Sequence, residues 1–202
     1  KTSLIKRRKR KTRMKLKSLF FLLLFIFSNS IVARNYYINS NIGDDTNKGT
    51  SKSKPWKTLW KVNQQVFKPG DKILFAAGNS FEGVLKPKGS GKKGAPIKID
   101  KYGEGKNPAI HGNGWNEYTL LLYNVEYWEV RNLEITNQGK APKAKRRGVI
   151  IRAENFGNCH HIVLEGLEIH KVNGILEKKK GKYFYSPFSA LSHLGSAREG
   201  PI

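Results

Sequence analysis

Two stretches of the chain alternate apolar and polar residues with period two and read almost as copies of each other. Asn124-Val-Glu-Tyr-Trp-Glu-Val-Arg-Asn-Leu-Glu-Ile-Thr-Asn137 aligns without a gap on Asn158-Cys-His-His-Ile-Val-Leu-Glu-Gly-Leu-Glu-Ile-His-Lys171. Apolar side chains fall at Trp128, Val130, Leu133 and Ile135 in the first copy, and at Ile162, Leu164, Leu167 and Ile169 in the second. Period two means a strand with one buried face. In both copies the alternation slips by one residue, at Asn132 and at Gly166, the residue types that most readily take left-handed backbone angles. A strand, a one-residue corner and a second strand, repeated at roughly 34 residues, describe one coil of a parallel β-solenoid.

The rest of the pattern fits around these copies. Short strands are predicted at 35–38, 72–75, 83–86, 96–100, 109–111 and 120–122, punctuated by glycine-rich turns. Between the copies, Gly148-Val-Ile-Ile-Arg-Ala153 reads as a third strand, with Val149, Ile151 and Ala153 inward and Ile150 and Arg152 outward. Near the start, Ser53 can cap a helix with Pro55 in its first turn. Trp56, Leu59, Trp60, Val66 and Phe67 would form its apolar face, and Lys68-Pro-Gly-Asp71 would end it. Such a helix suits the open end of a solenoid, and Trp56 and Trp60 read as core of this cap rather than as sugar platforms.

The amino-terminal residues read as an export signal. Lys15 and Lys17 follow Met14, an apolar run fills Leu19–Phe27, and Ser28-Asn-Ser-Ile-Val-Ala33 offers a cleavage point. About nine apolar residues suit a signal and are too few to span a bilayer. The expected organisation is a signal peptide over 1–33, with Met14 as an alternative start, then an N-terminal strand, turn loop and capping helix over 34–70. Coils would follow over 71–182. Residues 183–202 show neither the repeat nor a cap, and read as an atypical tail, a truncation or a frameshift.

Several motifs carry a family resemblance. Tyr36-Tyr-Ile38, Gly43-Asp-Asp-Thr-Asn-Lys-Gly-Thr50, Pro55-Trp-Lys-Thr58, Lys68-Pro-Gly-Asp71 and Gly94-Ala-Pro-Ile97 with Tyr102-Gly103 resemble the front of secreted bacterial right-handed parallel β-helix proteins. These form the pectate-lyase-like superfamily. The resemblance implies an all-β fold, a right-handed parallel β-helix with an N-terminal capping helix, and action on polysaccharide. The motifs are cap and turn residues, so they identify the scaffold better than the reaction.

Charge narrows the substrate. Of the net +23, the ten Lys and Arg before residue 34 account for ten charges, and +13 remains on the rest. An anionic polysaccharide is the expected partner. Charge alone would also admit nucleic acid, but export argues against it. The basic loop Gly139–Arg147 precedes the third strand, and the resemblance implies that this loop and strand line the substrate groove. Lys145, Arg146, Arg147 and Arg152 are the candidate substrate contacts.

The resemblance implies β-elimination at uronic acids, which needs the sugar carboxylate neutralised and a base to remove the neighbouring proton. Ca²⁺ is a cofactor that the resemblance admits, yet no acidic cluster to hold it is visible, and no catalytic residue is assigned. A glycoside hydrolase is the companion reading, and a non-catalytic binding or surface module on the same scaffold is the alternative.

Other candidates stay bland. Asp44, Asp45 and Asn47 read as turn residues bonding nearby backbone rather than as a calcium loop. Cys159, the single cysteine, stands where the other copy has Val125 and reads as an inert thiol. His160, His161 and His170 read as exposed strand residues without carboxylate partners. Glu134 and Glu168 align and would stack on one outer face. After signal cleavage a secreted monomer, extracellular or periplasmic, is expected.

Overall fold

Like residues stack on like. The structure, a computed structural model, describes residues 32–177 and, as backbone alone, two further strands at Tyr183–Tyr185 and Leu191–Leu194. Most of the expected signal segment, residues 1–31, lies outside the described residues, as do 178–182 and the rest of the tail.

Described strands in chain order are β1 (Asn35–Ile38), β2 (Lys72–Ala76), β3 (Ser80–Glu82), β4 (Ile97–Tyr102), β5 (Ala109–His111), β6 (Leu120–Tyr123), β7 (Trp128–Arg131) and β8 (Glu134–Asn137). They continue as β9 (Lys143–Ala144), β10 (Val149–Arg152), β11 (Ile162–Glu165), β12 (Glu168–Val172), β13 (Gly174–Glu177), β14 (Tyr183–Tyr185) and β15 (Leu191–Leu194). The described helix is short, α1 (Leu59–Gln64). Among the described residues the protein is all-β with almost no helix.

Four sheets share these strands, in the orders β1-β2-β4-β7-β11, β3-β5-β8-β12, β6-β10-β15 and β9-β13-β14. Every strand pair is parallel except β13 with β14. Register makes ladders of apolar side chains. In the first sheet Tyr36 pairs with Ile73, Ile73 with Ile99, Ile99 with Val130 and Val130 with Leu164. In the second, Phe81, Ile110, Ile135 and Ile169 follow one another. In the third, Leu85 bridges to Leu120, which pairs with Val149. These ladders face a common core, where an edge rung is covered on one side only. Trp128, Val130, Leu133 and Ile135 are completely buried, and their equivalents Ile162, Leu164, Leu167 and Ile169 are half-buried against the same cluster.

The two sequence copies therefore stack in the register their alignment implied: Trp128 on Ile162 and Glu134 on Glu168. Their corners are left-handed as expected, Asn132 at φ 52° and Gly166 at φ 63°. The amide of Asn132 donates to Asp100 Oδ1 at 2.8 Å, and a Cβ on Gly166 would stand 2.6 Å from Asn132 Oδ1. Glycine at 166 thus meets both the left-handed φ and the close approach of the Asn132 side chain.

Several expectations need correction. The helix begins after Thr58, not Ser53, and Thr58 Oγ1 accepts the Lys61 amide. The reason lies in the turn loop: Asp45 accepts hydrogen bonds from the backbone of Lys57 and Thr58 and from the Thr58 hydroxyl, which holds 55–58 extended. Asp44 likewise binds Thr46, so both carboxylates serve the turn. Trp56, Leu59 and Phe67 are buried as expected, whereas Trp60 and Val66 are exposed: α1 buries Leu59 and Val62, Trp60 falls off that face, and Val66 lies beyond the helix end.

The strand expected over 83–86 lies instead at Ser80–Glu82. Gly83, at φ 110°, breaks it, and Leu85 makes one isolated bridge. Ile150, expected on the outer face of β10, is completely buried, although it stands outside the main core cluster. Beyond residue 182, β14 pairs with β13, and β15 continues the sheet on β10, with Leu191 opposite Val149.

One end of the core is aromatic. Trp56 stacks on Tyr36 at 4.9 Å between ring centres, Tyr36 meets the edge of Phe67 at 5.3 Å, and Phe67 meets Trp128 at 6.3 Å. Trp128 Nε1 donates to the Gly89 carbonyl at 2.9 Å, so the buried indole leaves no unpaired donor.

Candidate functional site

Two loops on neighbouring rungs enclose a cleft of about 210 Å³, lined by Gly114, Trp115, Asn116, Glu117, Lys143, Ala144, Lys145 and Arg146. The first loop joins β5 to β6 and the second leads through β9 into β10.

Asparagine clamps hold both loops. Asn113 and Gly114 are consecutive left-handed residues, which turn the chain sharply and leave Trp115 70% exposed. A Cβ on Gly114 would overlap the Gly139 backbone, so glycine is required here for close approach as well as for φ. The fully buried Asn137 accepts the Gly114 amide at 2.9 Å and donates to the carbonyls of Asn116 and Arg147 at 3.2 and 2.8 Å. One rung on, Asn173 binds Gly139 in the same manner, accepting its N–H at 3.0 Å and donating to its carbonyl at 2.8 Å.

The four basic candidates have different surroundings. Arg146 is a buried anchor rather than an open surface cation. Its Nη1 donates to Ala141 O at 2.7 Å and Asn173 Oδ1 at 2.6 Å, and Nη2 donates to Gly114 O at 3.1 Å. Burial pulls its pKa below the usual guanidinium value. Arg147 Nη1 lies 2.5 Å from Glu117 Oε1 and 2.8 Å from the Lys145 carbonyl. Arg152 is drawn between two carboxylates, Glu117 at 3.7 Å and Glu154 at 3.6 Å. Lys145 is exposed on the cleft wall and left-handed at φ 61°. Lys145 and Arg146 thus line one cleft, while Arg147 and Arg152 stand behind it, joined through Glu117.

Trp115 and Glu117 were not legible as site residues, because an isolated residue in an irregular loop has no period. The available signal was Asn113-Gly114, a left-handed dipeptide that turns the chain and projects whatever follows it.

The histidines have partners after all. His160 Nδ1 lies 2.8 Å from Glu126, His161 Nε2 3.1 Å from Glu129, and His170 Nε2 3.0 Å from Glu134. Each pair joins one rung to the next, since in-register stacking brings a side chain near those of the strand beside it. Glu134 and Glu168 do stack, but each carboxylate is engaged separately, Glu134 with His170 and Glu168 with Asn107. Cys159 is half-buried, and burial together with the charge of Glu126 pushes its thiol up, which disfavours the thiolate. Among the described residues no group of three or more His, Cys, Asp or Glu is placed to hold a metal ion.

Glu129 gathers the densest charge. Lys98 Nζ lies at 2.9 Å, His161 at 3.1 Å and Arg131 at 3.5 Å. Burial alone would raise its carboxyl, but the hydrogen bonds from His161 and Lys98 and the charges of Lys98 and Arg131 outweigh it, leaving the carboxyl below its ordinary 4.5. A lowered native pKa contributes stability that is present above pH 4.5 and is lost as pH falls through the native value. Glu129→Gln is expected to be less stable at neutral pH and to show a shallower loss of melting temperature on acidification below that point. An acid limb as steep as the parent's would mean that Glu129 does not carry the effect.

No protein-family profile matches the chain. The chain is 33% identical to a lacto-N-biosidase of Bifidobacterium longum subsp. longum over a 210-residue alignment. That alignment covers 76% of this chain and 13% of the relative. Crystal structures of GH136 lacto-N-biosidase from Eubacterium ramulus superpose with TM-scores of 0.65 and 0.63, at 37% and 36% sequence identity. Each match covers 70% of this chain, against 27% of the selenomethionine form and 28% of the native form. The chain is thus homologous to lacto-N-biosidases while spanning about an eighth of the first relative and about a quarter of the solved ones.

Proposed function

We propose that this chain forms coils of a right-handed parallel β-helix in an exported glycoside hydrolase, with α1 covering one end. The observation that carries this reading is homology to lacto-N-biosidases, at 37% identity with a TM-score of 0.65 over most of the chain. The stacking supports the scaffold: three sheets are visited in turn, with apolar ladders facing one core. A pectate-lyase-like β-helix has this organisation, and the relatives favour hydrolysis over the elimination that such a scaffold also hosts. The segment at Leu19–Phe27 supports export.

Within this reading the cleft contacts glycan. Lys143, Lys145 and Arg146 line it, while Arg147 and Arg152 offset the charge of Glu117, which leaves a net positive wall that favours an anionic glycan. An exposed indole beside cations and an amide is a suitable surface for sugar, whose ring faces are apolar and whose edges form hydrogen bonds.

The test is to express the protein from its complete gene and offer it an aryl lacto-N-bioside and, separately, polygalacturonate. Release of the aryl alcohol, without unsaturated products absorbing in the ultraviolet, is the expected outcome. Unsaturated uronate from the second substrate would restore the lyase reading. Retention of glycan without turnover of either would favour the non-catalytic module.

A further inference from the structure

Arg146 poses an electrostatic problem. Its side chain is buried, at 6% exposure, and its three hydrogen-bond acceptors are all neutral oxygens. Nε–H is buried with no partner, and among the described residues no carboxylate lies within ion-pair distance of the guanidinium. A buried cation without a countercharge is costly, and an unpaired buried donor adds to that cost. The nearest acid on the cleft wall, Glu117, is already committed to Arg147 and Arg152. Lys143 and Lys145 complete the wall. Three cations therefore face one cleft whose single carboxylate is neutralised from behind.

The opposite wall carries an unused apolar surface. Trp115 is held out by the left-handed pair Asn113-Gly114 and the Asn137 clamp, with most of its indole in water. A simple anion site has no need of an aromatic face, whereas the C–H face of a pyranose does. At about 210 Å³ the cleft is smaller than the roughly 300–1,000 Å³ typical of a drug-sized ligand, which suits one sugar ring rather than an oligosaccharide.

We infer that this cleft is a subsite for one anionic sugar residue, its ring on Trp115 and its carboxylate or sulfate taken by Lys145 in the field of the buried, uncompensated Arg146. The inference rests on the reading of the protein as glycan-active and deepens it by naming the sugar class and the residues. Lys143 adds long-range attraction, and Asn116 offers an amide to ring hydroxyls.

The experiment follows the indole N–H resonances of nitrogen-labelled protein during separate titrations. The probes are glucuronic acid, N-acetylglucosamine 6-sulfate, N-acetylglucosamine and sodium sulfate. The expected result is a saturable shift of the Trp115 resonance with at least one charged sugar, and binding about tenfold weaker for the neutral sugar and for sulfate alone. Trp115→Ala, followed through backbone amides of the cleft, and Lys145→Gly, which suits the left-handed backbone, should each weaken binding about tenfold without lowering the melting temperature. Which charged sugar binds distinguishes a carboxylate from a sulfate site.

Equal binding of the neutral sugar overturns the anionic class. Equal binding of sulfate, or indifference to Trp115→Ala, overturns the sugar. Absence of any Trp115 shift overturns the subsite altogether. Glycoside hydrolysis with no charged-sugar binding removes this inference and leaves the proposed function standing. Charged-sugar binding by a protein that hydrolyses nothing does the reverse.

Discussion

Trp128→Ala is expected to lower the free energy of unfolding by about 3–5 kcal/mol, the range for removing a large aromatic from a packed core. Trp128 is completely buried, stands in register between Ile97 and Ile162, and touches Phe67 edge-on. Its loss empties the Ile97–Trp128–Ile162 row of the first sheet and strips the Gly89 carbonyl of its 2.9 Å donor. Trp128→Phe keeps much of the volume but not the donor, and should cost clearly less. Urea unfolding followed by circular dichroism measures both. A loss under about 1 kcal/mol for the alanine variant would mean that the rungs are stabilised separately rather than through a common core.

Asn137→Ala is the second large effect, expected at about 2–4 kcal/mol from three lost hydrogen bonds in a buried site. The amide fixes Gly114, Asn116 and Arg147 at once, so the same change should loosen the cleft. Asn137→Asp is the sharper control. It retains an acceptor for Gly114 but sets an oxygen against the carbonyls of Asn116 and Arg147, where the native amide donates. Hydrogen exchange should quicken at Gly114 and elsewhere in the 112–117 loop in both variants. Unchanged exchange there would show that the loop is held by other contacts.

How much of this was legible depends on whether a feature repeats. The two copies fixed their own register, because period-two alternation and a matched corner admit one gapless alignment, and the strands follow it from Trp128 on Ile162 to Ile135 on Ile169. The start of α1 was not legible. Asp45 reaches residues 57 and 58 from the turn loop, and local capping rules favour the nearer Ser53.

The basic loop shows the same limit. Lys145, Arg146 and Arg147 are adjacent and chemically alike, yet one is exposed, one buried and one paired with Glu117. Only the neighbouring rungs, through Gly114 and Asn173, decide which is which. The histidines erred the other way. The alignment already set His160 over Glu126, but the partners of His161 and His170 lie diagonally, at Glu129 and Glu134, where a column-by-column comparison does not look.

The proposed hydrolysis by this homologue of lacto-N-biosidases is tested most directly by isotope transfer. The protein, expressed from its complete gene, is incubated with lacto-N-biose-containing oligosaccharides and with polygalacturonate in water enriched in heavy oxygen, and the products are weighed by mass spectrometry. Hydrolysis places one solvent oxygen in the product pair, on the newly formed reducing end, and that is the expected result. Cleavage giving an unsaturated sugar with no solvent oxygen would contradict it and restore the lyase reading.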